Sequence, residues 1–226
     1  GKINPSGKLA ITFPISYEDV PSSTSFPGHA IVQEGESDDA PDMSGFSFNR
    51  RRPWETIYEE DIYVGYRYYS TFDVAVAYEF GFGLSYTTFE YGDIELSSDK
   101  FKNKLVIAEE ISNSGNVAGS EVIQVYVSIP DGRLEQPEQR LVAFRKTAEL
   151  DPGASEILNF YIDKMDLASF DEESSSWIIE AGEYEIQVGA SSKNIQFTSI
   201  FTVSEAITVE TVSKALEPKV EINKMM

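Results

Sequence analysis

The chain has 226 residues, 38 acidic against 18 basic, and a formal charge of -20 that repels phosphate backbones and anionic lipid surfaces. Nucleic acid and membrane are therefore not expected as partners. With no cysteine there is neither a disulfide framework nor a thiolate metal site, and no apolar run approaches the roughly 20 residues that span a bilayer.

Hydrophobic side chains make up 41% of the residues, enough to fill a core. The opening residues GKINPSGKLAITFP lack the apolar stretch of a secretion signal, and the compartment stays open. Lys8 to Phe13 reads as a buried strand, because Leu9, Ile11 and Phe13 alternate and Pro14 cannot extend a ladder. A long loop over 21–56 follows, rich in Pro, Ser, Gly and acidic residues from Pro21 to Pro53, with no period of 2 or 3.6. Its acidic run Glu34-Gly35-Glu36-Ser37-Asp38-Asp39 lacks the frame of a calcium loop and reads as solvated. His29 is the only histidine, so a multi-histidine zinc site is not available and no metal is expected. Arg50-Arg51-Arg52 is the one basic cluster, suited to solvation or to clamping a carboxylate.

Aromatic residues then concentrate. Read as a strand, the segment after Gly65 places Tyr66 and Tyr68 on one face and Arg67 with Tyr69 on the other. Arg67 is then set to pair with Glu59, Glu60 or Asp61. Flat rings can stack on pyranose faces, but core packing is the stronger reading of these aromatics, and Trp54, Tyr66 and Tyr68 are only weak candidates for substrate binding. Beyond Tyr86 the pattern is all-β. Leu105, Ile107, Glu109 and Ile111 share a face, and a strand over Glu121 to Ile129 alternates Ile123, Val125, Val127 and Ile129 against Val122, Gln124, Tyr126 and Ser128. Further strands are expected over Arg140 to Lys146, Ala154 to Ile162, Trp177 to Glu180, Glu183 to Gly189 and Ile195 to Val203, with one helical turn around Met165 to Phe170. About seven short strands at regular spacing indicate a sandwich with Trp177 in its core. In the tail, Val209, Val212 and Leu216 share a helical face before Pro218.

Two strings in succession, Ile62-Tyr63-Val64-Gly65-Tyr66-Arg67-Tyr68-Tyr69 and Phe80-Gly81-Phe82-Gly83-Leu84-Ser85-Tyr86, resemble the closing stretch of the sandwich domain of glycoside hydrolase family 3, which includes many β-glucosidases. Gly7 to Pro14 and Phe26-Pro27-Gly28 extend the resemblance backwards. The strings Asn113-Ser114-Gly115, Glu121 to Val127, Leu150-Asp151-Pro152-Gly153 and Gly182-Glu183-Tyr184 resemble the fibronectin type III-like domain that follows it. The expected fold is mainly β: an immunoglobulin-like, fibronectin type III-like sandwich over 87–204, preceded over 1–86 by the C-terminal portion of an α/β sandwich domain, with 205–226 as linker or docking tail.

The resemblance implies that the parent hydrolyses terminal β-glycosidic bonds by a retaining two-carboxylate mechanism. It also implies that the catalytic residues lie elsewhere. The family's nucleophilic aspartate belongs to a Ser-Asp-Trp barrel motif absent here, and its acid/base glutamate lies upstream of the segment matched by residue 8. No catalytic residue and no cofactor are therefore assigned. The implied partners are the catalytic barrel of the same polypeptide and, in the intact enzyme, an oligosaccharide or glycoside. Members with the barrel last leave room for a barrel after Met226. The competing readings are a carbohydrate-binding module and an immunoglobulin-like interaction domain.

Overall fold

The computed structural model describes residues 1–31, 54–215, 217–218 and 220–224. The acidic run at 34–39 and the three arginines at 50–52 fall outside them. The chain forms two compact units, one of residues 1–15 and 62–217, the other of 16–61 and 218–226. In chain order the short strands β1 (Phe13–Pro14), β2 (His29–Ala30) and β3 (Trp54–Glu55) precede helix α1 (Tyr66–Thr71) and strand β4 (Val76–Tyr78).

Within the smaller unit, β2 and β3 pair antiparallel, and Asp61 takes an ion pair from Lys224 at 2.9 Å. Gly28 precedes β2 at φ 89, a left-handed conformation that glycine adopts without penalty. A side chain there would also overlap the Glu55 carbonyl on β3.

The larger unit carries the sandwich. Its strands are β5 (Phe89–Tyr91), β6 (Glu95–Leu96), β7 (Lys104–Asn113), β8 (Val122–Ser128), β9 (Arg140–Lys146) and β10 (Ser155–Asp163), then helix α2 (Lys164–Leu167), β11 (Ser169–Asp171), β12 (Ser176–Ile179), β13 (Gly182–Gly189), β14 (Ile195–Val203) and β15 (Ile207–Thr211). One sheet runs β10-β7-β5 with β6 also on β7, and the facing sheet runs β14-β13-β8-β9. Unbroken register from Ser155↔Ser112 to Asp163↔Lys104 makes β7 and β10 one long antiparallel ladder. The period-2 pattern works as expected: Leu105, Ile107 and Ile111 from β7, Leu158, Phe160 and Ile162 from β10, and Ile123, Val125 and Val127 from β8 meet Tyr184, Ile186, Val188 and Phe201 in a single buried core. Each such side chain contributes about 1.5–3 kcal/mol by leaving water. Trp177 packs at the margin of this core, its ring 5.4 Å from Phe170.

Three local expectations are corrected. Residues 8–12 are not a strand: Leu9 exchanges backbone hydrogen bonds with Phe82 and Gly81, while Ile11 is 59% exposed and Thr12 is the buried residue. Residues 66–71 are helical, because Gly65 at φ 61 redirects the chain and Tyr68 and Tyr69 then donate their amides back to the Gly65 carbonyl. Residues 207–211 form a strand on β12 rather than a helical face, since the β-branched residues Ile207, Thr208, Val209 and Thr211 favour extended backbone.

Candidate functional site

Strand β8 is buried on both sides. Its inner face meets the core, and its outer face carries Gln124 and Tyr126, both almost fully enclosed. What covers them is the aromatic segment of residues 62–86. The Gln124 amide donates to the Ala190 carbonyl at 2.7 Å and to the Gly81 carbonyl at 3.3 Å. Its own carbonyl accepts from the Tyr126 hydroxyl at 2.6 Å. Tyr66 lays its ring between Phe80 at 4.8 Å and Tyr126 at 5.8 Å, and its hydroxyl accepts the Leu141 amide of β9 at 2.7 Å.

The seam continues on both sides of Tyr66. Thr71 accepts the Glu138 amide at 2.9 Å, Tyr63 donates to Glu135 at 2.6 Å, and Ser191 donates to Glu79 at 2.7 Å. From the first residues, Asn4 donates to the Ala118 carbonyl and accepts from the Tyr86 amide. Lys8 pairs with the mostly buried Glu121 at 2.7 Å. Two glycines permit this closeness. A side chain on Gly81, at φ 81, would overlap the Gln124 amide, and one on Gly119 would overlap Asn4. Near the seam Arg140 donates to the Ala168 carbonyl at 3.0 Å, and burial, followed by the neighbouring Arg67 charge, lowers its pKa to about 10.

The proposed sugar contacts therefore sit in different settings. Tyr66 has its ring between two others and its hydroxyl engaged. Tyr68 packs edge-on against Tyr69 and tilted against Phe72, both at 5.2 Å. Trp54 is 50% exposed on β3 of the smaller unit, and His29, facing Glu55 at 3.5 Å, is likewise exposed. Sequence reading missed the seam itself, although Gly81 in the recurrent Phe-Gly-Phe-Gly string was its visible trace.

Acidic chemistry is dispersed. Asp171 and Glu173 both hold Arg133, and Glu180 accepts the Arg133 and Leu134 amides, so these carboxylates staple one loop. The hydrogen bond from Arg133, then that from Ser174, holds the Asp171 carboxyl well below the usual carboxylate range. Glu109 is the one carboxyl among the described residues raised as far as about 7, chiefly by burial. At 1% exposure it faces the core rather than a cleft. An open cleft of about 580 Å³ does lie between β9 and β10, lined by Phe144, Arg145, Asn159 and Tyr161 among others. Among the described residues no carboxylate lines it. Among the described residues no group of three or more His, Cys, Asp or Glu could hold a metal ion.

Comparison with known proteins agrees with this architecture. Residues 121–192 match the fibronectin type III-like domain family. Thermostable beta-glucosidase B of Acetivibrio thermocellus is 34% identical over 222 residues, covering 96% of this chain and 26% of the relative. Beta-glucosidase 3B of Thermotoga neapolitana, solved in complex with alpha-D-glucose, superposes with TM-score 0.78 at 48% identity over 93% of this chain and 26% of that one. A beta-glucosidase from Paenibacillus barengoltzii gives TM-score 0.80 at 32% identity over 97% of this chain and 23% of that one. The chain thus spans about a quarter of the length of such relatives.

Proposed function

We propose, for a chain that belongs to glycoside hydrolase family 3, a supporting role rather than a catalytic one, within a longer protein that cleaves terminal β-glycosidic bonds. Retaining hydrolysis needs two carboxyl groups about 5–5.5 Å apart around an accessible sugar site. Of the acids named above, Asp171, Glu173 and Glu180 staple one loop, Glu79 and Glu135 accept hydrogen bonds in the seam, Glu121 pairs with Lys8, and Glu109 is sealed in the core. The observation that carries the reading is the seam: Tyr63, Tyr66 and Gly81, the residues of the recurrent strings, are used to fasten the aromatic segment to the sandwich. On this reading 1–86 is the end of the α/β sandwich domain, 87–204 the fibronectin type III-like domain, and 205–226 a linker whose first strand docks on β12. Together they buttress a catalytic barrel on another part of the polypeptide.

The test separates fastening from sugar contact. Tyr66→Phe should lower the urea midpoint of the chain while leaving any response to glucose or cellobiose unchanged. Stability identical to the parent together with lost sugar binding would reverse the assignment.

A second reading, a carbohydrate-binding module, is favoured by the cleft between β9 and β10. Phe144 and Tyr161 there are 67% and 57% exposed, beside the Asn159 amide and the Arg145 guanidinium. Calorimetric titration with cello-oligosaccharides distinguishes the two, since binding lost in Phe144→Ala supports a module and no heat supports a scaffold.

A further inference from the structure

Among the described residues the sandwich core contains one carboxyl group with no answering charge. Glu109 lies in the middle of β7, in the same inward row as Leu105, Ile107 and Ile111. Opposite it on β10 is Leu158. Both carboxyl oxygens are buried and neither has a hydrogen-bond partner, and the same is true of the Tyr91 hydroxyl on the adjacent strand β5. A lone carboxylate in such a place is costly, whereas a neutral carboxylic acid is tolerated.

The surrounding charges do not relieve it. Asp93, between β5 and β6, raises the Glu109 pKa further by like charge, after burial has had the larger effect. Glu121, before β8, bears with Glu109 on Tyr91, and the Lys8 ammonium beside it is engaged by Glu121 itself. On the facing sheet Tyr184 of β13 turns its hydroxyl to the Glu180 carbonyl. On the neighbouring strands, Glu95 is opposite Ala108, Glu156 accepts the Ala148 amide, and Glu110 accepts from Ser155. None of these groups brings a cation to Glu109.

We propose that Glu109 is a proton-dependent latch: held as the neutral acid it lets the two sheets close over it, and its ionisation loosens β7 against the facing sheet. The direction follows from linkage. An acid whose folded-state pKa stands above its ordinary 4.5, here at about 7, binds more protons folded than unfolded between those values, so stability is highest below about 4.5, falls as pH rises, and levels off above about 7. The folding equilibrium should weaken by on the order of a few hundredfold across that whole window. The device lies wholly within the sandwich and does not depend on the supporting role proposed above.

Urea unfolding of the full chain at pH 5, 6, 7 and 8 tests it. The parent midpoint should fall from pH 5 to about 7 and change little between pH 7 and 8, and Glu109→Gln, which cannot ionise, should flatten the profile. An equal slope in parent and variant would overturn the proposal. If the amide prevents folding, hydrogen exchange of the parent decides instead. After correction for intrinsic rates, β7 and β10 amides should lose at least tenfold protection between pH 5.5 and 8, and unchanged protection would sink the latch.

Discussion

The two faces of β8 are held by different means. Inward, Ile123, Val125 and Val127 contribute to a core in which apolar area dominates and many shapes would serve. Outward, Gln124 donates one hydrogen bond to Gly81, Tyr126 meets the Tyr66 ring edge-on, and the Gly81 backbone comes closer to Gln124 than a side chain there would allow. The contrast teaches that burial makes the sandwich, while fit attaches the connector. Loss of volume should therefore damage the first more, and addition of a single carbon should damage the second.

The largest effect is expected from Phe160→Ala. Removing a core ring of β10 should cost about 3–5 kcal/mol by chemical denaturation, and a loss under about 1 kcal/mol would deny that this core carries the fold. Next comes a paired test with glycine. Gly81→Ala meets both an unfavourable φ of 81 and the Gln124 side chain, whereas Gly153→Ala meets a similar φ of 80 in open space. Gly153→Ala should cost about 1–2 kcal/mol from backbone strain alone, and Gly81→Ala clearly more, with residues 62–86 becoming sensitive to protease. Equal costs would remove the seam from the account. Tyr66→Phe strands the Leu141 amide and should cost about 1 kcal/mol. The smallest effect concerns acid. Because Arg133 and Ser174 depress the Asp171 pKa in the folded chain, that contribution is present above the ordinary carboxylate range and lost as pH falls below it. Arg133→Ala should thus flatten the acid limb of a stability-pH curve, and a steeper limb would contradict the staple.

Legibility in the sequence divides along the same line. The strands over Val122–Ser128 and Ile195–Val203 follow from alternation because one face of each meets the core. The same rule misplaced Tyr66 to Tyr69, where a six-residue helix is fixed by Gly65 and by contacts with β9 rather than by any apolar period. It also misread Ile11, whose alternation with Phe13 is genuine but whose side chain is 59% exposed, with Phe13 only partly buried at 42% exposed. In the tail, spacing of Val209, Val212 and Leu216 suggested a helix, yet the β-branched run and an available edge on β12 decided for a strand. The seam was visible only as recurring strings. Gly81 and Gln124 lie 43 residues apart, and no local pattern reveals that one must make room for the other. Glu109 was placed on the correct strand face from the sequence, but its lack of a partner depends on Tyr91 and Asp93, which lie on other elements.

The proposed role of these residues is to support glycoside cleavage without performing it. Incubation of the purified 226-residue chain with p-nitrophenyl β-D-glucoside tests this most directly. The account predicts nitrophenol release no faster than in buffer. Sustained release that is abolished by replacing a single carboxylate of this chain would contradict it.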